Sequence, residues 1–301
     1  MISRAPTFSL RLFKFAYVLL LLALAGAGPL WAAGCGSTVT CSTTTFWIGG
    51  NITSGSGHCT TATQWSCNAN WSNTDGSSTI CCSAAPGAAN AVVFDGGSTA
   101  SGTNCTLDIS TTVASVTIST AITGGYTGTI SFNASSLTVT GPFALNHGTL
   151  SPGSNSLVFQ SSMTITSGTF TAGGSTVTFN TSILTSTITS NGQLFNDVIF
   201  AGTGTYTLAG PFRVSTMTIQ SGSNFSLNGS SMTISSFTNS GNFNLLGSEI
   251  VSSAPNDTAG SSVTYAGTAA NEVVYSTWTY SNLVIGGGGD DHLQLVRNLD
   301  R

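Results

Sequence analysis

Five carboxylates are spread between residues 107 and 289: Asp108, Asp197, Glu249, Asp257 and Glu272. Cleaving a polysaccharide would need two of them, or one beside a lysine or arginine, converging on one face. Asp108 stands eight residues before the apolar Val116, Asp197 one before Val198, Asp257 six before Val263 and Glu272 eleven before Leu283, so no two share an offset. Arg213 is the only Lys or Arg in that stretch. The spacing predicts no catalytic pair, and the chain reads as a non-enzyme. Gly286-Gly-Gly-Gly-Asp-Asp-His-Leu-Gln294 fits a nonapeptide in which carbonyls and an Asp cage calcium. It occurs once, and such cages are shared between stacked copies, so a glycine loop without metal is the expectation. His58, His147 and His292 are scattered; none is nominated as a ligand, and no cofactor is expected.

Seven cysteines stand at 35, 41, 59, 67, 81, 82 and 105, and none follows. No C-x2-C pair occurs among them and only His58 lies nearby, so disulfides in an exported chain are the expected chemistry rather than zinc. Cys41, Cys59, Cys67, Cys81, Cys82 and Cys105 are the disulfide candidates, with connectivity open. Cys35 follows Trp31-Ala-Ala-Gly, which resembles a bacterial lipobox; lipidation there would leave six thiols to pair. Cleavage after Ala25, Ala27, Ala32 or Ala33, leaving one free or intermolecular thiol, is the other reading. Trp47, Trp65 and Trp71 share this segment. Their faces could stack on sugars; filling the core of a small Cys-rich unit is the competing use.

The start of the chain reads as a secretory signal. Arg4, Arg11 and Lys14 precede the apolar run from Phe15 to Ala25, which breaks at Gly26-Ala-Gly-Pro29 with nothing basic behind it. Residues 1–34 are therefore expected to be removed, leaving no transmembrane segment. What remains carries Arg213, Arg297 and Arg301 against ten acids, a formal charge near −7, which excludes a basic surface for nucleic acid or anionic membrane. Only 5% of all residues are charged, against about 25% in ordinary soluble domains. With 40% hydrophobic residues and 16 Phe, the chain nonetheless has a core to bury.

That core announces itself as a repeat. Pentads such as Ser135-Ser-Leu-Thr-Val139, Asn155-Ser-Leu-Val-Phe159 and Ser175-Thr-Val-Thr-Phe179 carry apolar residues two apart. The first apolar positions, from Val116 through Leu137, Leu157, Val177, Val198, Met217, Met232 and Val263 to Leu283, step by 21, 20, 20, 21, 19, 15, 31 and 20. Residues i and i+2 of a strand share a side, and one turn of chain cannot shelter its own apolar side. Stacked turns can, with backbone groups paired above and below. The fold class predicted is all-β: a right-handed parallel β-helix, or β-solenoid, of roughly eight to ten coils over 107–289. A small disulfide-rich N-terminal cap is expected over 35–106, and over 290–301 a charged tail that reads as either truncated or lacking its own cap or anchor. The uneven steps of 15 and 31 predict an extra partial coil or a loop between about 235 and 262. A β-sandwich is the rival architecture.

Phe46-Trp-Ile-Gly-Gly50, Gln64-Trp65, Ala69-Asn-Trp-Ser72, Ala85-Pro-Gly87 and Ala91-Val-Val-Phe-Asp95 together resemble the N-terminal module of large bacterial secreted repeat proteins, similar to autotransporter passengers and filamentous-haemagglutinin-type adhesins. The resemblance implies a parallel β-helix displayed outside the cell. The function expected is an exported structural or adhesin-like surface protein whose neutral solenoid makes weak multivalent contacts with a glycan, another protein or copies of itself. A carbohydrate-active or glycan-binding β-helix is the alternative.

Overall fold

A computed structural model describes residues 37–41, 43–49, 63–75, 80–96, 102–119, 125–182, 185–268 and 273–286. The expected signal segment 1–34, Cys35, Cys59 and the tail 290–301 lie outside them.

Alternation along each short strand sets everything else. In Ser156–Phe159, Leu157 and Phe159 are buried while Ser156 is exposed and Val158 faces outward half-covered. Such a strand has one apolar side and unpaired N–H and C=O groups on both edges, and both needs are met by the coil that follows. Gln160 N–H donates to Val139 O at 2.9 Å, Thr169 N–H to Gly148 O at 2.9 Å and Thr171 N–H to Leu150 O at 2.9 Å. Repeated along the chain, this builds a parallel β-solenoid of about nine turns. Among the described residues there is no α-helix, only the 3-10 turn Asn68–Asn70, and no helix long and apolar enough to cross a membrane.

Three sheets, of twelve, eight and four strands, run along the stack. One turn visits all three: Thr149–Ser151 in the four-stranded sheet, Ser156–Phe159 in the eight-stranded sheet and Met163–Ile165 in the twelve-stranded sheet. In three successive turns the first two strands fuse into one of eight residues, Leu194–Ala201, Phe212–Ile219 and Met232–Asn239. Phe170, in the last strand of the small sheet, stacks on Phe195 at 4.8 Å, so the fused strands continue the same wall. All pairings within these sheets are parallel save that of Thr44–Trp47 with Trp71–Ser72.

The register corrects the sequence reading in two places. Val116 is aligned with Phe143 in the twelve-stranded sheet and not with Leu137, whose partner is Thr111. Met232 pairs with Phe212, and the partner of Met217 is Phe237. The step of 31, from Met232 to Val263, therefore crossed from one sheet to another, and the step of 15, from Met217 to Met232, compared different positions along neighbouring strands of one sheet; Met232–Asn239 and Asn242–Leu245 form an ordinary turn where an extra coil or loop was expected. Nor do the sheets stop at the expected cap boundary. Ala91–Phe94 joins Ser115–Ile118 on one side and Thr44–Trp47 on the other, and Cys105–Leu107 starts the four-stranded sheet. The cysteine-rich stretch supplies the first turns of the solenoid.

Turns between strands stack as closely as the strands do. Gly153 and Gly173 both have φ near +60°, at 66° and 56°. A Cβ on Gly173 would stand 2.5 Å from Gly153 O, so that corner accepts only glycine in conformation and in space.

Inside, ring contacts run without interruption from Phe143 to Trp278. Centroids lie 4.9 Å apart for Phe143–Phe159, 5.7 Å for Phe159–Phe179, 5.3 Å for Phe179–Phe200, 4.1 Å for Phe200–Phe225, 6.0 Å for Phe225–Phe243 and 6.3 Å for Phe243–Trp278. Each ring removes on the order of 150–250 Å² from water. The final pentad differs: Leu283 is 39% exposed, because no described strand lies beyond Leu283–Ile285.

Replacing Phe200, which touches Phe179, Tyr206 and Phe225, with alanine is expected to lower unfolding stability by about 3–5 kcal/mol. Thr218→Ala, on the outer face, should change it by less than about 0.5 kcal/mol. Urea titration followed by circular dichroism measures both; equal losses would contradict the inside–outside assignment.

Candidate functional site

The tryptophans nominated for glycan stacking are core residues. Trp47, Trp65 and Trp71 are at most 2% exposed. Trp47 and Trp65 meet Trp71 edge-on at 5.0 and 4.7 Å, and Phe94 lies beneath all three. Trp71 Nε1–H donates to Trp65 O at 2.8 Å. A ring buried on both faces has none left for a sugar, so glycan stacking at these positions is corrected to core packing. Three indoles bring more apolar surface than the short strands around them, and burying it is the stronger drive.

The cysteines divide. Cys41 is disulfide-bonded to Cys82, bridging the approach to Thr44–Trp47 with Ile80–Cys82. Cys67 and Cys81 are also in disulfides and sit in a small cluster with Ile48 and Ala69. Cys105 is not: it is a free, fully buried thiol in Cys105–Leu107, pointing into the core in register with Ile130. Burial, and then the nearby Asp108, push its pKa well above the ordinary thiol value, so it stays protonated and is a poor nucleophile or metal ligand. One free thiol by itself makes the total of seven odd, so parity no longer argues for a lipid on Cys35.

Each acid in the described part of the repeat region is held by a different device. Asp108 accepts the Ser66 N–H at 2.9 Å and its hydroxyl at 2.5 Å. Asp197 accepts the hydroxyls of Thr176 at 3.1 Å and Thr216 at 2.7 Å from the coils on either side. Glu249, buried, accepts four backbone N–H groups, from Gly229, Leu246, Gly247 and Ser248, at 2.7–3.1 Å. Asp257 accepts Asn239 Nδ2–H at 2.8 Å, while its other oxygen is buried without a partner, and burial raises its pKa. Among the described residues no cluster of three or more His, Cys, Asp or Glu is placed to hold a metal ion.

The carboxylate cradle around Glu249 was not visible in the sequence. Its donors come from the turn Leu246–Ser248 and, one coil earlier, Gly229; only Gly-Ser beside a Glu hinted at it. Beside it opens a cavity of about 770 Å³ lined by Leu246, Ile250, Ala266, Val273 and Tyr275. Tyr275 fixes its wall, donating to Glu249 O at 2.8 Å and accepting the Val251 N–H at 2.9 Å. Tyr265 and Tyr280 share a 3.0 Å hydroxyl contact behind it, and burial raises the pKa of both, so neither is an acid or base near neutrality.

What the structure does align is the outside. On the twelve-stranded sheet, Thr187, Thr207, Ser226, Asn244 and Thr264 form one row across five turns, and Thr185, Thr205, Asn224, Asn242 and Ser262 form the next. Asn242 Nδ2–H donates to Asn224 Oδ1 at 2.8 Å, so neighbouring coils are also linked through side chains. On the eight-stranded sheet the comparable row is Ser156, Thr176, Asp197, Thr216 and Ser236. Set against protein-family models, curated proteins and solved structures, the chain matches none of them. The stacked turns are consistent with β-helix repeat proteins in general.

Two outcomes follow. Glu249→Gln leaves an amide N–H₂ facing backbone donors and should cost on the order of 2–3 kcal/mol in urea titration. Asp257 has a raised folded pKa, so the folded state holds the extra proton: its stabilising contribution is present at low pH and is lost as pH rises from about 3.8 through the raised value. Asp257→Asn should remove that fall from a stability–pH profile; an unchanged slope would show that Asp257 does not cause it.

Proposed function

We propose that this chain is an exported, non-catalytic structural protein, an adhesin-like rod that meets its surroundings through rows of short uncharged side chains. The observation that carries this reading is the coil-by-coil alignment of outward Thr, Ser and Asn over five consecutive turns. A hydroxyl or amide repeating about every 4.8 Å offers many identical weak hydrogen bonds, each worth about 1 kcal/mol or less net in water. Such a surface binds through multivalency and not through one pocket. The separately held carboxylates, each tied to main chain, hydroxyl or amide, support a scaffold more than a reaction centre. Disulfide bonding at Cys41–Cys82 favours an oxidising compartment outside the cytosol.

The test has two arms. Intact mass of the protein recovered from outside the producing cell should show loss of roughly the first 34 residues; a full-length, cell-retained chain would remove the export reading. Beads densely coated with the purified chain should hold to cell or glycan surfaces far better than the monomer does, by about a hundredfold in apparent affinity. Equal, undetectable binding by both would remove the adhesive reading.

A further inference from the structure

The twelve-stranded sheet is electrostatically unlike its neighbour. None of its strands contains an Asp, Glu, Lys, Arg or His, from Thr44–Trp47 through Leu283–Ile285. The eight-stranded sheet carries Asp197, Arg213 and Asp257. We propose that the outer face of the twelve-stranded sheet is a docking surface for the same face of a second copy of this chain.

Three observations point to a second copy. The face is neutral, so two copies meet without like-charge repulsion, although the chain as a whole is acidic. From Ser115–Ile118 to Ser262–Tyr265 its outward side chains are short, and the same residues on a partner can interdigitate with them as in the dry zippers formed by stacked identical segments, while Phe46 and Val93 at one end and Val284 at the other add apolar contact. The partner's ladder has the same inter-coil spacing, so contacts made at one turn recur at the next; the Asn224–Asn242 bond already fixes one rung before any contact forms. No aromatic ring is among the large exposed apolar side chains of the described residues, which argues against a flat glycan-stacking face. Twelve strands about 4.8 Å apart and an outward width of about 10 Å give on the order of 500 Å² per copy. Both copies together then bury about 1,000 Å², the lower bound of a specific interface, so the pairing is weak and side by side. The inference goes beyond the adhesive reading and does not rest on it.

Sedimentation equilibrium of the exported chain tests it. The wild type should shift from monomer toward dimer with Kd on the order of 100 μM. Thr207→Lys with Asn244→Lys should weaken the dimer at least about tenfold at low salt, with partial recovery at about 1 M salt. Thr178→Lys with Thr233→Lys, on the eight-stranded sheet, should leave it unchanged. Mixing the first lysine pair with Thr207→Glu, Asn244→Glu copies should restore pairing. A wild type that stays monomeric to about 1 mM overturns the proposal whatever the variants do, as do equal losses in both lysine pairs or a lysine–glutamate mixture that stays monomeric. A monomer that sediments with a neutral polysaccharide assigns the face to glycan instead. A chain that dimerises yet binds no surface leaves this proposal standing and removes the adhesive one.

Discussion

The solenoid depends on one contact made many times: a coil laid on the coil before it, with backbone hydrogen bonds at the wall and ring against ring inside. Neither half suffices alone. The parallel ladder pairs polar groups that would otherwise be stranded, and the column from Phe143 to Trp278 removes apolar surface that a single turn cannot hide. Because both operate between neighbours, stability is approximately a sum over interfaces. The aligned outer rows are a by-product of the same register. Outward positions fall into ladders because inward positions must.

The two ends handle the same constraint differently. At the N-terminal end the early turns are irregular: Thr44 is in register with Ala91, a long excursion compared with the later steps near 20. The chain compensates with three indoles and with disulfide cross-links, which limit the unfolded state of a segment with few regular contacts. Toward the C-terminal end the compensation is polar. Around the last regular turn the Tyr265 and Tyr280 hydroxyls meet and both bond the Tyr275 main chain, Tyr265 accepting its N–H and Tyr280 donating to its carbonyl, and Tyr275 stacks on Trp278 at 4.2 Å and 3°. In the inward column that runs Phe159, Phe179, Phe200 and Ile219, the next position is Asn239. Its buried amide gives one hydrogen to Asp257 and one to Ser262 O while its oxygen accepts the Gly241 N–H, so it replaces a ring with bonds that reach the following turn.

Low charge shapes the rest. With few ions on the surface, solvation falls to hydroxyls and amides, and those that stack also bond along the axis, as Asn224 with Asn242 and Asp197 with the threonines on both sides. The carboxylates that remain act as struts. Glu249 collects four N–H groups at a corner where two turns would otherwise leave donors unpaired, which is a structural use of the chemistry that in another setting makes an anion site.

The sequence by itself determined that strands with apolar residues two apart recur about every 20 residues, and hence that they stack; Leu137, Leu157, Val177, Val198 and Met217 stand in one column as their spacing requires. It also marked the cysteine-rich stretch, though not that Cys105 points inward alone. Only the tertiary structure decided which wall each strand joins. Val116 and Leu137 have the same local pattern and differ by a corner, and Met232 and Phe237 share one strand yet face different partners. Alternation has a period of two and says which side is apolar, but it says nothing of which neighbour covers it. The fate of Trp47, Trp65 and Trp71 and the neutrality of one whole face were illegible for the same reason: both are properties of residues brought together across turns, fixed by register and not by any segment alone.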